Sequence, residues 1–287
     1  MSVTTIEPTA SPHEILMTAG LLTFPGFLTV TEVARLRTAA EHVRDAYHRH
    51  IDAHRPDMVD SVCMRHLEEP FWHPGEQAHR LTLLEFGADA RFVGAVEQCF
   101  QGPAMYCSSS LFIHPRHVSR EGDWHRDLQF IHFGDESKVQ ESIRQDLWAV
   151  QFQISLYDNA DIEYVPYSPT RYDSPEEYRV RVADGGSHAR EPMPHSVRIH
   201  QRAGDAMLFN PNGLHRGRYH TDKPRLTLMY TYTPFGKTQF NEFTYSPWMA
   251  APGFLEGLSR RSRAFYADFV EHYEGFWKSE VRASAFR

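Results

Sequence analysis

The sequence predicts a mainly β protein in which a double-sheet β-core is flanked by helices. Helical patterns come first, many short strands follow from about residue 105, and an amphipathic segment ends the chain. We find no internal repeat and no interdomain linker. The expected organisation is therefore a single domain over residues 1–287, with a loose leader at 1–13.

The helices are predicted from apolar residues at helical spacing. Thr29 and Glu32 have the spacing of a capping box, and the apolar repeat that follows predicts a helix over about 30–50. A second helix is expected over 88–101, whereas the short apolar run RLTLLEF at 80–86 is interpreted as a strand. A terminal helix is expected from its regularly spaced aromatic residues, which are Phe265, Phe269, Tyr273 and Phe276.

The strands are predicted from β-rich and alternating segments. YCSSSLFIH at 106–114 is β-rich, and LWAVQFQISLY at 147–157 alternates between an apolar face and a polar face that carries Gln151 and Gln153. The long, charged segment at 168–196 is interpreted as an excursion from the core and as a lid. Further strands are expected at 162–167, 197–201, 205–210 and 225–234.

Composition narrows the class of protein. With 30 basic and 37 acidic residues the net charge is −7, which argues against a nucleic-acid-binding protein. No apolar run approaches the ~20 residues of a membrane span, and the N-terminal residues lack the pattern of a secretory signal. Three cysteines without C-x-x-C spacing argue against a disulfide framework and favour a cytoplasmic location.

The residues that carry chemistry lie in two distant stretches. GDWHRDLQF contains His125 and Asp127, whose side chains can converge if the segment is extended. Downstream, HRGRYHTDKPRLT contains His215, then Arg225 at the start of a strand and Thr227 on the same face. Two imidazoles and one carboxylate can occupy one face of an Fe(II) ion, which leaves positions open for a co-substrate and dioxygen. Arg225 can supply a planar fork for a distant carboxylate.

Each of these motifs, taken alone, could occur by chance or serve no catalytic function. H-x-D is short, the chain has 18 histidines, and an arginine after Lys-Pro can form a surface ion pair. Their conjunction beside predicted strands is much less frequent by chance. We therefore interpret the set as one metal and co-substrate site.

On these residues the chain resembles the phytanoyl-CoA dioxygenase-like family of Fe(II)/2-oxoglutarate-dependent dioxygenases, from about residue 19 to 235. The matching elements are G-x-x-x-x-P-G-F-L from Gly20 to Leu28, W-H-R-D, A-G-D-A-M-L-F and H-R-G…K-P-R. The resemblance implies a double-stranded β-helix, the cupin-like jelly roll. It also implies that iron is bound by His125, Asp127 and His215, and that Arg225 holds the far carboxylate of 2-oxoglutarate.

The resemblance implies an oxidoreductase that uses Fe(II), 2-oxoglutarate and dioxygen. Such an enzyme releases succinate and carbon dioxide as it hydroxylates an unactivated C–H bond of a small molecule. Related halogenases keep the position of Asp127 small so that a halide can bind, so a carboxylate there favours hydroxylation. We expect the substrate to be a small amphipathic metabolite, of the kind made in secondary metabolism.

Several polar residues are weaker candidates for the same site. Gln151 and Gln153 are expected to contact the co-substrate, although two glutamines on a solvated sheet face would look the same. Gln129, Arg171 and Tyr172 are candidates for substrate contacts, the last two as part of the predicted lid. Solvated loop residues are the alternative for that pair.

Three other functions remain open from the sequence. The first is a related oxidation by the same site, such as desaturation, cyclisation or halogenation. The second is a zinc hydrolase on a β-scaffold, which needs a general base and leaves Arg225 without a role. The third is a catalytically silent jelly roll that binds metal for structural reasons.

Overall fold

The computed structural model describes residues 10–143, 147–237 and 242–278. Within these residues the strands are β1 (Leu21–Phe24), β2 (Cys63–Arg65), β3 (Ala104–Ile113), β4 (Arg120–Glu121), β5 (Val150–Ser155), β6 (Asn159–Tyr164), β7 (Val197–Gln201), β8 (Ala206–Phe209), β9 (His215–Tyr219) and β10 (Leu226–Pro234). The helices are α1 (Pro12–Thr18), α2 (Val30–His54), α3 (Gln77–Gly87), α4 (Ala90–Phe100), α5 (Asp127–Ile131), α6 (Glu136–Ser142), α7 (Pro175–Arg181), α8 (Ala183–Gly186) and α9 (Arg260–Trp277).

The strands form two antiparallel sheets that share one pocket. The larger sheet has the order β1-β8-β5-β10-β3-β2, and the smaller has the order β4-β9-β6-β7. Helices pack on the outer face of the larger sheet, where the rings of Phe92 in α4 and Phe152 in β5 stack 4.6 Å apart. The inner face of the larger sheet and the smaller sheet together line the pocket. The two sheets and their flanking helices thus match the predicted layers.

The best-patterned elements form where the sequence predicts them. The Thr29 hydroxyl accepts a hydrogen bond from the Glu32 amide, and the Glu32 carboxylate accepts one from the Thr29 amide at 2.8 Å, so the capping box starts α2. In β5 the apolar face enters the main core, while Gln151 and Gln153 line the pocket. In α9 the buried aromatic face includes Phe269 and Tyr273, but Phe276 is exposed.

The predicted strand at 80–86 is wrong, because this segment lies in α3. Most of its side chains are buried, including Arg80, whose guanidinium donates to the Phe254 carbonyl at 2.8 Å. A helix that is buried on nearly all sides shows no apolar stripe, so a short apolar run cannot be told from a strand. Strand β6 also begins earlier than its predicted start at residue 162.

Of the two segments expected to be loose, the described parts are helical or packed. Of the predicted leader at 1–13, residues 1–9 lie outside the described residues, while Ser11 caps α1, which begins at Pro12. The segment 168–196 is packed rather than loose, since Val180 and Met193 are buried in a small separate cluster with Trp124. None of its residues lines the pocket. The predicted single domain over 1–287 stays a prediction.

In the described part of the chain, no helix combines the length and the apolar character needed to cross a lipid bilayer.

Buried His73 leads to a prediction about stability and pH. Its ring is fully buried, Nε2 contacts the Leu67 carbonyl at 2.7 Å, and burial lowers the pKa of His73 from 6.5 to about 4. The unfolded chain therefore takes up a proton between these pH values while the folded protein does not. The stabilisation is complete above pH 6.5 and falls as the pH drops towards 4, by up to about 3 kcal/mol at ~1.4 kcal/mol per pKa unit.

The variant His73→Gln tests this pH dependence because its amide can still donate to Leu67 but cannot titrate. In urea denaturation at pH 7 and pH 4, the wild type should lose about 3 kcal/mol more free energy of unfolding than His73→Gln. His200→Gln, at an exposed position in β7, is the control and should follow the wild type. Equal pH dependence in the wild type and His73→Gln would contradict the prediction.

Candidate metal centre and active site

The structure brings together the three predicted metal ligands. The Nε2 atoms of His125 and His215 each lie 3.6 Å from Oδ1 of Asp127. The ligand atoms of the three residues are all within 4.8 Å of one another, and no other such group of metal-binding side chains occurs in the described ranges. Two imidazoles and one carboxylate at this separation could hold a divalent ion on three adjacent coordination positions.

Backbone hydrogen bonds hold the two distant ligand segments side by side. His125 and His215 form an antiparallel β-bridge, with reciprocal amide-to-carbonyl hydrogen bonds of 3.0 Å. Asp127 lies at the start of α5, and its amide donates to the Pro211 carbonyl at 3.0 Å. The ligands therefore converge without a fully extended H-x-D segment: His125 is in the bridge, and Asp127 is already in a helix.

The orientation of both imidazoles is set by their second nitrogen. Nδ1 of His125 lies 2.7 Å from the Asp123 carbonyl, and Nδ1 of His215 lies 2.9 Å from the Gly213 carbonyl. A carbonyl oxygen only accepts hydrogen bonds, so Nδ1 carries the proton in each ring. The lone pair of each Nε2 is then directed toward the other ligands, as a metal site requires.

Burial shifts the protonation equilibria of the ligands. It raises the pKa of Asp127, while the neighbouring His125 and a hydrogen bond from Gln151 lower it. Burial and the nearby His125 hold the pKa of His215 well below its ordinary value, so this ring is neutral. The Gln151 amide donates to Oδ2 of Asp127 at 2.5 Å, which fixes the carboxylate and leaves Oδ1 beside the imidazoles.

Arg225 forms the other polar end of the same pocket. Its side chain is buried over the rings of Tyr219 and Phe112, and Nη1 donates to the Arg218 carbonyl at 3.0 Å. The nearby Arg216 and Arg218 both pair with Glu121, whereas no ion pair within 4.0 Å among the described residues involves Arg225. Its Nε and the hydroxyl of Thr227 are buried without a hydrogen-bond partner. A buried cation with an unpartnered donor fits a carboxylate supplied by a ligand.

Glycine is required next to this guanidinium. A Cβ atom at Gly217 would lie 3.1 Å from Nη1 of Arg225 and 2.4 Å from the Tyr219 hydroxyl. The second approach is far inside van der Waals contact, so any side chain at this position would displace the residues that hold Arg225. The Gly in the H-R-G motif therefore leaves the space that this end of the pocket needs.

The pocket between the sheets encloses about 250 Å³ and connects the metal ligands with Arg225. Gln153 lines it from the larger sheet, and its Oε1 is buried without a partner in the described structure. The remaining wall is mostly apolar. Its apolar residues are Phe112, Phe130, Ile131, Trp148, Ile162, Phe209, Met229 and Phe243.

Comparison with known proteins assigns the family. The phytanoyl-CoA dioxygenase (PhyH) family model matches residues 16–227, which is most of the chain. This chain belongs to the phytanoyl-CoA dioxygenase family. It is therefore an enzyme that depends on iron and 2-oxoglutarate, with dioxygen as the second co-substrate. A search of curated proteins finds no match.

Solved structures confirm the jelly-roll fold of this family member. EctD from S. alaskensis, with 2-oxoglutarate and 5-hydroxyectoine, is 17% identical with a TM-score of 0.57, covering 90% of this chain and 89% of its own. AviO1 from Streptomyces viridochromogenes Tue57 is 17% identical with a TM-score of 0.56, covering 83% and 100%. The α-ketoglutarate-dependent carbocyclase SnoK from nogalamycin biosynthesis is 17% identical with a TM-score of 0.52, covering 82% and 88%.

The structure does not bring the three weaker substrate candidates to the pocket. Oε1 of Gln129 accepts a hydrogen bond from Arg181 at 3.2 Å. Arg171 pairs with Glu177 at 2.6 Å, and the Tyr172 hydroxyl donates to Glu136 at 2.8 Å. None of the three lines the pocket, and their predicted substrate contacts stay predictions. Their polar groups are used to hold α5, α6 and the 168–196 segment together.

Sequence reasoning missed several residues at the pocket. Arg65 lines it with its guanidinium 4.4 Å from the ring centre of Phe243, and these residues are far apart in the sequence. Trp148 falls within the strand predicted at 147–157, but β5 begins only at Val150. Its indole donates to the Asn212 side chain at 2.5 Å and lines the pocket. No motif or period marks these residues, because tertiary packing alone brings them together.

Proposed function

We propose that this enzyme hydroxylates an unactivated C–H bond of a small metabolite, with release of succinate and carbon dioxide. In this proposal His125, Asp127 and His215 bind Fe(II), and Arg225 binds the far carboxylate of 2-oxoglutarate. The main support for it is the buried guanidinium of Arg225, whose Nε has no hydrogen-bond partner and which lines the same pocket as the three ligands. A zinc hydrolase or a silent metal-binding protein would leave that cation without a function.

The protein's own residues bind and orient the reactants. Bound iron supplies the oxidising chemistry by coupling decarboxylation of 2-oxoglutarate to oxidation of the substrate. Gln151 holds Asp127 through Oδ2, so that Oδ1 and the two Nε2 atoms face one ion. We infer that Thr227 assists Arg225, because its hydroxyl is buried, unpartnered and two residues away on β10.

We propose that Gln153 contacts the middle of the co-substrate. It lies on β5 two residues from Gln151, which is at the metal end of the pocket. Its Nε2 has only a contact of 3.6 Å with the sulfur of Met229, and its Oε1 has no described partner. An amide with this spare capacity could orient a chelating ligand that extends from the metal ligands towards Arg225.

The walls of the pocket indicate the kind of substrate. Phe130, Trp148 and Phe243 provide apolar surface in the pocket, and the ring of Phe130 lies 5.3 Å from that of the proposed metal ligand His125. Such walls keep water from the reacting carbon. With a net charge of −7 the protein does not favour nucleic acid. We therefore propose a small amphipathic metabolite as the substrate, and secondary metabolism as its source.

A substrate screen scored by succinate release tests the proposed function. The enzyme is loaded with Fe(II) under anaerobic conditions, supplied with 2-oxoglutarate and dioxygen, and assayed in chloride and in bromide. We expect a product that is heavier than the substrate by one oxygen atom and carries no halogen. A product that has lost two hydrogen atoms would instead identify desaturation or cyclisation, and a halogenated product from the wild type would overturn the hydroxylase assignment.

Asp127→Gly is the informative variant in the same assay. It removes a metal ligand and one negative charge, so we expect it to lose hydroxylase activity. A halide could then bind at the vacated position, and a halogenated product from Asp127→Gly alone would support the assigned role of the carboxylate. Asp57→Gly, which removes an exposed carboxylate paired with Arg55, is the control and should retain activity.

A further inference from the structure

Arg126 lies between two proposed metal ligands in the sequence, but its side chain does not line the pocket. The guanidinium is completely buried and donates to backbone carbonyls on two other segments. Nη1 donates to two carbonyls, that of Ser168 at 2.8 Å and that of Asn212. Nη2 donates to the Arg171 carbonyl at 3.2 Å. Arg126 thus binds the H-x-D segment to the chain that precedes His215.

The positive charge of Arg126 is neutralised by Asp173, the first of a series of connected ion pairs. Oδ1 of Asp173 accepts from Nε and Nη2 of Arg126 at 2.9 and 2.7 Å. Oδ2 of Asp173 accepts from Nε of Arg181 at 2.6 Å, and Arg181 also binds Glu136 at 2.7 Å. The side chains of Arg126, Asp173 and Arg181 are all at most 1% exposed. We call Arg126, Asp173, Arg181 and Glu136 the buried ionic chain.

The buried ionic chain reaches every segment that positions a proposed metal ligand. Arg181 donates to Gln129 in α5, the helix that starts at Asp127. On the other side, the hydroxyl of Ser168, whose carbonyl binds Arg126, accepts a hydrogen bond from the Leu214 amide at 2.8 Å. The His125–Asp127 segment and the His215 segment are therefore both held by one set of contacts outside the pocket, and this set includes the segment 168–196.

The energetics of burial favour a geometric role for this arrangement. Burying several charges costs more free energy than burying apolar groups of the same size, unless their hydrogen bonds are well satisfied. Here every donor group of Arg126 has an acceptor: the Asp173 carboxylate, two backbone carbonyls of the 168–196 segment, and the Asn212 carbonyl on the segment that carries His215. A planar guanidinium can bind several acceptors at fixed angles, which a lysine cannot do.

We propose that Arg126 is a positioning residue for the metal site: it contacts neither metal nor substrate, and it fixes the spacing between the His125–Asp127 segment and the His215 segment. The role of Asp173 is to keep the Arg126 side chain in place. This inference rests on the proposed function, because it takes His125, Asp127 and His215 as the metal ligands.

The test compares metal affinity with stability in Arg126→Lys. Lysine keeps a positive charge for Asp173 but cannot reach the carbonyls of Ser168 and Asn212 at the same time. We expect the dissociation constant for Co(II), measured without oxygen or co-substrate, to rise about 10- to 100-fold, as is typical when a residue that orients metal ligands is changed. The measurement is made at 10 °C on protein whose near-ultraviolet circular dichroism matches the wild type. Arg179→Gln, which removes an exposed pair with Glu191 in the same segment, should leave the Co(II) affinity unchanged.

The outcomes separate positioning from a purely structural role. If Arg126 only stabilises the fold, Arg126→Lys will have a lower melting temperature but the same Co(II) dissociation constant, and the inference is overturned. If Arg126→Lys does not fold, Asp173→Asn is judged by the same criterion. If His215→Ala binds Co(II) as tightly as the wild type, the metal assignment itself fails. If only His215→Ala loses Co(II) binding, the metal assignment holds and the role of Arg126 is rejected.

Discussion

His215→Ala is expected to abolish succinate release and to weaken iron binding while the β-core stays folded. Loss of residues that merely orient a ligand costs roughly 10- to 100-fold in metal affinity, so loss of a ligand should cost at least that much. The bridge between His125 and His215 is made by backbone atoms and does not need the imidazole. Iron titration, succinate release and thermal unfolding of the variant would measure the three effects. His125→Ala and Asp127→Ala should behave in the same way.

His220→Ala is the matched control for this substitution. His220 lies five residues further along, with Nε2 3.8 Å from a carboxylate oxygen of Glu121, and it does not line the pocket. We expect it to retain wild-type turnover and iron affinity. Full activity in His215→Ala together with loss in His220→Ala would mean that the wrong distal histidine has been assigned.

Arg225→Ala should raise the concentration of 2-oxoglutarate required for turnover far more than the concentration of iron. Loss of a desolvated, charge-assisted pair costs about 2–5 kcal/mol, or roughly 30- to several-thousand-fold in affinity. Arg225→Lys keeps the charge but loses the planar fork, so it should lie between the wild type and alanine. Titration of 2-oxoglutarate against succinate release at saturating iron would measure the change.

A substitution of another arginine, outside the pocket, controls for general damage. Arg202→Ala removes an arginine from an exposed turn before β8, so it should leave both titrations unchanged. An unaltered 2-oxoglutarate titration in Arg225→Ala would refute the assignment of this residue. A parallel loss of iron affinity would show instead that Arg225 supports the metal site and not the co-substrate.

Segments with a regular sequence pattern could be predicted, because the side chains that favour the helix or strand locally are also those that pack in the folded protein. The capping box at Thr29 and the alternation in β5 are read directly from the sequence. The alternation also placed Gln151 and Gln153 on the pocket side. The convergence of His125, Asp127 and His215 was predicted from residue type and motif, and the structure brings the three together. Their binding of iron stays a prediction.

Other parts could not be predicted because ion pairs between residues distant in the sequence bury charged segments that show no apolar pattern. Strand β9 begins HRGR, and its charges are buried by ion pairs such as Arg216 with Glu163 at 2.7 Å. A sequence with so many charges looks like a solvated turn. The segment 168–196 misleads for the same reason, since Arg181 and Asp173 neutralise each other inside the protein. Helix α3 could not be predicted for a different reason. It is buried on most sides, so its sequence lacks the single apolar stripe that marks an amphipathic helix.

The β-bridge between His125 and His215 has a consequence for how the protein folds. It joins positions 90 residues apart, so its formation closes a very long loop and is delayed by the entropy of that closure. An unfolded chain therefore presents scattered imidazoles and no three-ligand site. A metal ion that binds only the completed sandwich stabilises it by mass action, in proportion to the logarithm of the free metal concentration. The free iron concentration would then raise the stability of the folded enzyme as well as its activity.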